Sequence, residues 1–230
     1  MAASWRGRPI DAVLFDLDGT LIDTVGDIAR SLNLATAEQG WPALAQEAVR
    51  TMIGRGSPRL IERAARALSQ PLDPELHARL LQRFLIHYAE LELNGTLQAE
   101  PYPGARETLE AVRAHGLRTA VVTNKQQHLS EGLLAHLGLA ASIELVVGGD
   151  RCERRKPDPE PLLFACRHLQ VPPERTLMVG DSINDVEAAR GARIPIVCVP
   201  YGYNEGNDPR TLPCDAFIES LTDLPALLRL

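Results

Sequence analysis

Two aspartates two residues apart, Asp16 and Asp18, follow a short apolar run in the passage Asp16-Leu17-Asp18-Gly19-Thr20. At a strand end that spacing projects both carboxylates to one side. One can act as a nucleophile while the other gives and takes a proton. Gly19 permits a tight turn off the strand, and Thr20 can steady it. Three later passages carry complementary groups: Thr123-Asn124-Lys125, Arg155-Lys156-Pro157, and Gly180-Asp181-Ser182-Ile183-Asn184-Asp185. Asp16, Asp18, Asp181 and Asp185 brought together would repel one another unless a cation neutralised them. Oxygen ligands without His or Cys suit Mg²⁺. Such an ion bridges carboxylates and a phosphate oxygen, leaving Lys156, Thr123 and backbone N–H groups to hold the other phosphate oxygens. The chemistry indicated is in-line attack of Asp16 on the phosphorus of a small phosphate ester.

Each passage alone has an ordinary reading. Asp-x-Asp-Gly also suits a turn or a calcium loop, although apolar Leu21-Ile22 follow, and a helical calcium loop needs a bidentate glutamate several residues later. Thr123 could cap a helix, Asp181 and Asp185 could be first-turn carboxylates favoured by the helix dipole, and Lys156 could be solvated. Their joint occurrence, in order and behind apolar runs, favours the site. Only two of the 24 basic residues are lysines, Lys125 and Lys156, and both fall in these passages. In a chain that otherwise prefers arginine, lysine there suits a compact charge. Arg55, in Gly54-Arg55-Gly56, interrupts a helical stretch and could sit on a loop that approaches the site. There it would pair a substrate carboxylate bidentately; the alternative is a solvated arginine in a helix–helix turn.

The elements that must position these groups are legible as short β-rich runs at 12–15, 119–122, 145–147, 177–179 and 196–199. Continuous apolar runs of that length fit strands covered on both faces, as in a parallel sheet. Helical patterns at 106–115, 127–137, 160–169 and 185–190 alternate with them. The expected fold is α/β, a Rossmann-like doubly wound parallel sheet, with ligands at the carboxyl ends of its strands. Between 24 and 99 only helical periodicity is found, in 27–39, 58–68 and 74–91. The spacing thus predicts an all-helical cap over 24–99, inserted after the first strand, in a core formed by 10–23 and 100–230. Glu100-Pro101-Tyr102-Pro103-Gly104 marks its return, since two prolines and a glycine cannot continue a helix. Residues 1–9 read as a flexible tail.

A net charge of −6 argues against nucleic acid or an anionic membrane as the main partner, but leaves room for a basic pocket and a small anionic phosphate ester. No stretch approaches the ~20 apolar residues of a membrane span, and no apolar segment follows the start as a secretory signal requires. Four dispersed cysteines form no C-x-x-C pair and read as reduced thiols. These features lead us to expect a cytoplasmic protein with no membrane partner, a monomer or small homo-oligomer.

Asp16–Thr20, Thr123, Lys156 and Gly180–Asp185 together resemble, in order, the four motifs of the haloacid dehalogenase-like hydrolase superfamily, and the resemblance covers nearly the whole chain from Ile10. It implies a helical cap of the C1 class and an aspartyl-phosphate mechanism with Asp16 as nucleophile and Asp18 as general acid and base. It implies Mg²⁺ held by Asp16, the Asp18 main-chain carbonyl and Asp181, with Asp185 and Ser182 in support, and phosphate held by Thr123, Asn124 and Lys156. Dehalogenases of the superfamily lack the second aspartate, so Asp18 points to phosphoryl chemistry. Tyr102-Pro103-Gly104, Val121-Val122-Thr123-Asn124-Lys125 and Tyr201-Gly202-Tyr203-Asn204 are similar to passages of bacterial phosphoglycolate phosphatases. Rival expectations are a phosphomutase of the beta-phosphoglucomutase type and a non-catalytic phosphate-binding module. Cleavage of a phosphonate through a Schiff base would need a cap lysine, and 24–99 holds none.

Overall fold

The computed structural model of the chain describes residues 3–230. It begins with β1 (Ser4–Trp5), β2 (Arg8–Pro9), β3 (Ala12–Phe15) and β4 (Ile22–Asp23). Four helices follow: α1 (Val25–Ala37), α2 (Gln46–Arg50), α3 (Ser57–Ala67) and α4 (Pro74–Leu93). Then come β5 (Glu100–Pro101), α5 (Ala105–Ala114), β6 (Arg118–Val122), α6 (Gln127–His136), β7 (Leu145–Val147), α7 (Glu160–Leu169) and β8 (Thr176–Gly180). The chain closes with α8 (Ile183–Ala192), β9 (Ile196–Cys198), β10 (Ala216–Phe217) and α9 (Leu224–Leu227).

Strand β3 is fully buried along its length, which explains why no polar residue interrupts it. Side chains alternate across it. Val13 and Phe15 enter one core with Leu109 and Val112 of α5 and Leu133 of α6. Ala12 and Leu14 enter the other with Leu162 and Leu169 of α7 and Val186 of α8. The main sheet has six parallel strands in the order β10-β9-β8-β3-β6-β7. From β3 the chain moves to β6 on one side and later to β8 on the other, so the order reverses at β3. The carboxyl end of β3 is therefore the crevice in which such sheets bind ligands.

Helices α1–α4 build a third apolar cluster around Leu32, Ile61, Leu80, Phe84 and Tyr88, joined by Leu129 of α6 and by Tyr203. Asp73 caps α4, accepting a 2.8 Å hydrogen bond from Leu76 N, with Pro74 at the first helical position. The two ends of this helical insertion are tied together. Strand β4 pairs antiparallel with β5, and buried Asp27 of α1 accepts hydrogen bonds from Gln98 N (2.9 and 3.1 Å) and Ala99 N (2.8 Å).

Short elements escape the sequence patterns. The five expected strands are joined by β10, a sixth at the sheet edge, and α2, of five residues, is too short for a periodic signal. In the tail expected over 1–9, residues 1 and 2 lie outside the described residues. The rest is a hairpin, because β1 pairs with β2 and Trp5 buries itself in the core. Ser4 N donates to Leu228 O (2.9 Å), which ties the hairpin to the end of α9. A side chain as large as Trp5 contributes more by burial than seven ordered residues of Pro- and Gly-containing chain would suggest. Trp5→Ala should cost about 3 kcal/mol, the scale of emptying a buried aromatic site. Urea unfolding followed by circular dichroism checks this, and an unchanged midpoint would mean the hairpin is not anchored.

Candidate active site

The polar residues directly behind β3 open the site. Asp16 N still donates to Val179 O (2.9 Å), so the nucleophile candidate is held on the sheet ladder itself. The chain then folds back on itself: Thr20 N, Leu21 N and Ile22 N all donate to Leu17 O. The turn demands Gly19, whose φ is +91° and where a Cβ would come within 2.5 Å of Asp181 Oδ2. Thr20 Oγ donates to Asp181 Oδ1 (2.8 Å), so the turn also steadies the carboxylate behind β8. Asp18 Oδ1 accepts from Thr24 Oγ (2.8 Å) at the entrance to α1.

Lys156 lies at the centre with its side chain almost wholly buried. Its Nζ is 2.9 Å from Asp16 Oδ1 and donates to Asp185 Oδ1 (2.7 Å) and Val122 O (2.6 Å). Burial opposes its charge, but Asp16 and Asp185 more than offset this and hold the ammonium above the ordinary lysine value. Asp185 is committed on both oxygens, since Oδ2 accepts from Ser182 Oγ (2.8 Å), Ser182 N (3.1 Å) and Asp181 N (3.3 Å). Ser182 and Asp185 thereby form the reciprocal cap of α8. Asp185 supports its neighbours from behind and has little left to offer a ligand.

Asp16, Asp181 and Asp185 each bring an oxygen within 4.8 Å of the others. Burial first, and then the charge of Asp185, push the Asp16 carboxyl well above its ordinary value; Lys156 acts against this. The same two causes, in the same order, push Asp181 up to about 7. Three carboxylates face one ammonium here, and the excess negative charge favours a proton or a cation. An oxygen-only donor set in that condition fits a hard divalent ion.

Thr123 and Asn124 follow β6, as expected, and both are buried. Asn124 Nδ2 donates to Gly54 O (2.8 Å) and Lys156 O (2.9 Å), which uses both amide donors. Its side chain fastens the helical insertion to the Lys156 loop and has no N–H left for a phosphate. A cavity of about 50 Å³ runs from Asp16, Asp18 and Thr123 to Ile28, Ile53, Leu60 and Phe84 of the insertion. Arg55 does not line it. Its Nε donates to Glu205 Oε1 (2.7 Å), and Arg63 donates to Glu205 Oε2 (2.7 Å), because Glu205 rises from the loop behind β9 to meet both arginines. Burial alone would raise the Glu205 carboxyl, but hydrogen bonds from Arg55, Asn184 and Arg63 hold it below the ordinary range.

Three residues that the motifs leave without a role belong to the site. Lys125 lines the cavity, and in the sequence it stands out by the scarcity of lysine and by its place directly behind Thr123-Asn124. Tyr203 N donates to Asp181 Oδ2 (2.7 Å), while its hydroxyl donates to Asp23 Oδ1 (2.8 Å) and accepts from Thr24 N (2.8 Å). Asn184 reaches Glu205 Oε1 (3.1 Å). The latter two are set by contacts between distant loops, for which a sequence carries no local signal.

Comparison with known proteins shows the family. The model of the haloacid dehalogenase-like hydrolases matches residues 13–199. The chain is 43% identical over 223 residues to a phosphoglycolate phosphatase of Nitrosospira multiformis, covering 96% of each protein. Among solved structures it is similar to a predicted phosphoglycolate phosphatase from Haemophilus somnus (TM-score 0.88, 31% identity, covering 95% of this chain and 97% of the other). It is also similar to CbbY from Rhodobacter sphaeroides in complex with xylulose-1,5-bisphosphate (TM-score 0.76, 27% identity, covering 96% and 100%). Extended over nearly the full length of both proteins, that identity is too high for fold convergence, and the chain belongs to the haloacid dehalogenase-like hydrolases.

Proposed function

We propose that the chain is a Mg²⁺-dependent phosphatase that hydrolyses 2-phosphoglycolate to glycolate and phosphate through an aspartyl-phosphate on Asp16. The observation that carries this reading is the buried Asp16 carboxylate, fixed at a strand end by Lys156 and by Leu17 N (2.7 Å) and facing a cavity between the sheet and the helical insertion. Curated relatives that bear the name phosphoglycolate phosphatase support the substrate.

In this reading an Asp16 oxygen attacks phosphorus, the bond from phosphorus to the ester oxygen breaks, and Asp18 gives its proton to the departing glycolate. Asp18 then takes a proton from a water that attacks the phosphorus, which frees Asp16 and releases phosphate. Thr123 would hold a phosphate oxygen, while Lys156, whose three donors face Asp16, Asp185 and the Val122 carbonyl, keeps Asp16 oriented and would lend its charge to the phosphoryl group. Asp16, Asp181 and the Asp18 main-chain carbonyl would hold Mg²⁺, which supplies charge neutralisation for the phosphoryl group when bound. The insertion would exclude water until the leaving group departs.

A second reading, a phosphatase or mutase acting on a sugar phosphate, draws on the likeness to CbbY with its bound xylulose-1,5-bisphosphate. Phosphate release from a panel of phosphorylated acids and sugar phosphates separates the readings, since a mutase returns the phosphoryl group to sugar. Asp16→Asn should lower kcat on the best substrate about 10³-fold or more. Surviving Mg²⁺-dependent turnover would remove Asp16 as nucleophile.

The carboxylate cluster also sets a pH dependence. An unfolded aspartate ionises near 4, whereas folded Asp181 keeps its proton to about 7. The folded state binds the extra proton in that interval, so the metal-free protein should lose stability as pH rises from about 4 to about 7 and gain none back above it. Mg²⁺ needs the deprotonated form, so its thermal stabilisation should grow between pH 6 and pH 8. Melting curves in EDTA and in Mg²⁺ test this; a Mg²⁺ shift independent of pH would contradict it.

A further inference from the structure

Lys125 is buried at the tip of the loop behind β6. Its Nζ has Asp18 Oδ1 at 3.5 Å and the centroid of the Tyr88 ring at 4.0 Å. An ammonium has three donors, and ordinary N–H···O bonds run from 2.7 to about 3.2 Å. At 3.5 Å Asp18 lies beyond that range, and it already accepts from Thr24 at 2.8 Å. Burial opposes the charge, yet Asp18 and Tyr88 keep the ammonium protonated, with its pKa raised to about 12. A buried cation with so few close acceptors is costly unless something else completes its shell.

Its surroundings indicate what that is. Lys125 is the one cationic side chain that lines the cavity next to Asp16; Ile28, Ile53, Leu60 and Phe84 line it as apolar walls, and Ser57 and Gln126, also in the lining, hydrogen-bond each other. The buried Tyr88 hydroxyl interacts with this ammonium and has no other hydrogen-bond partner. Arg55, the arginine whose sequence position suggests a carboxylate ligand, is engaged by Glu205 outside the cavity. We propose that Lys125 is the specificity-determining residue of this enzyme: it receives the carboxylate of a phosphorylated short-chain acid while the phosphoryl group faces Asp16. The proposal rests on the phosphatase reading above and deepens it. Apolar walls between the two polar ends fit a methylene, and a neutral alcohol would leave the ammonium uncompensated. The site thus rejects neutral esters by the cost of an unpaired charge.

The test compares kcat/KM for 2-phosphoglycolate and ethyl phosphate, which match in size and differ in the carboxylate. Lys125→Met should lower the acid-to-neutral ratio about 10- to 100-fold, the scale of a lost hydrogen bond to a charged group, whatever it does to the absolute rates through Asp18. Arg55→Ala should leave that ratio within about twofold. An unchanged ratio in Lys125→Met, or a collapse confined to Arg55→Ala, would overturn the proposal. A binding measurement on the wild-type protein is independent of that variant's folding and of turnover. The chain has only two lysines, so [ε-¹³C]lysine labelling gives two side-chain resonances, and Lys125→Arg assigns them by removing one. Glycolate should shift the Lys125 resonance and ethanol should not; no shift with glycolate overturns the proposal. If glycolate binds there but 2-phosphoglycolate is not hydrolysed, the substrate reading fails and the role of Lys125 stands.

Discussion

The Lys156 ammonium lies within 3 Å of Asp16, Asp185 and the Val122 carbonyl at a point reached by almost no water, and much of the molecule is arranged to make that contact tolerable. A buried ion cluster of this kind is poor evidence for stability, because desolvation takes back most of the Coulomb gain. Its value lies in mutual dependence. Removing any one charge strands the others, so the ends of β3, β6 and β8, the start of α8 and the loop before α7 must all arrive together. Asp185 serves two purposes within it, neutralising Lys156 with one oxygen and capping α8 with the other. The carboxylates still outnumber the ammonium, which raises Asp16 and Asp181 toward protonation and leaves the site short of positive charge.

The loop behind β9 carries several of the contacts between the helical insertion and the sheet. Tyr203 holds Asp181 with its backbone and the entrance of the insertion with its hydroxyl, contacting Asp23 and Thr24. Two residues on, Glu205 takes hydrogen bonds from Arg55 and Arg63 of the insertion and from Asn184 of α8. Asn124 adds a link from the end of β6 to Gly54. The insertion is thus fastened to the very residues that surround the carboxylates. A movement of its helices away from the sheet must break the charged hydrogen bonds at Glu205, whose strength is reduced by the partial exposure of Arg55 and Arg63.

Much of this was legible in the amino-acid order. Continuous apolar runs located five of the six strands, the four inner ones and β7 at one edge, and the polar residues directly behind those runs had to emerge at one end of the sheet. That is why Asp16, Thr123 and Asp181 could be grouped before any coordinates, and why the helical insertion was visible as a long interruption of the alternation. Short elements held by partners far away in sequence were not legible. The N-terminal hairpin depends on Trp5 reaching the core, and β10 on pairing with β9; neither has a periodicity long enough to detect.

The sequence alone therefore determined the sheet, the order of its strands' chemistry and the kinds of group at their ends, because secondary structure and burial follow from local pattern. Only the tertiary structure decided which charge meets which. Arg55 and Lys125 are both cations near the site in sequence terms, and the glycines on either side of Arg55 mark it as a carboxylate ligand on a loop. Packing placed Glu205 against Arg55, and Asp18 and the Tyr88 ring against Lys125. Pairing of charges is settled by distances between loops that lie far apart along the chain, and no spacing rule within a single segment encodes them.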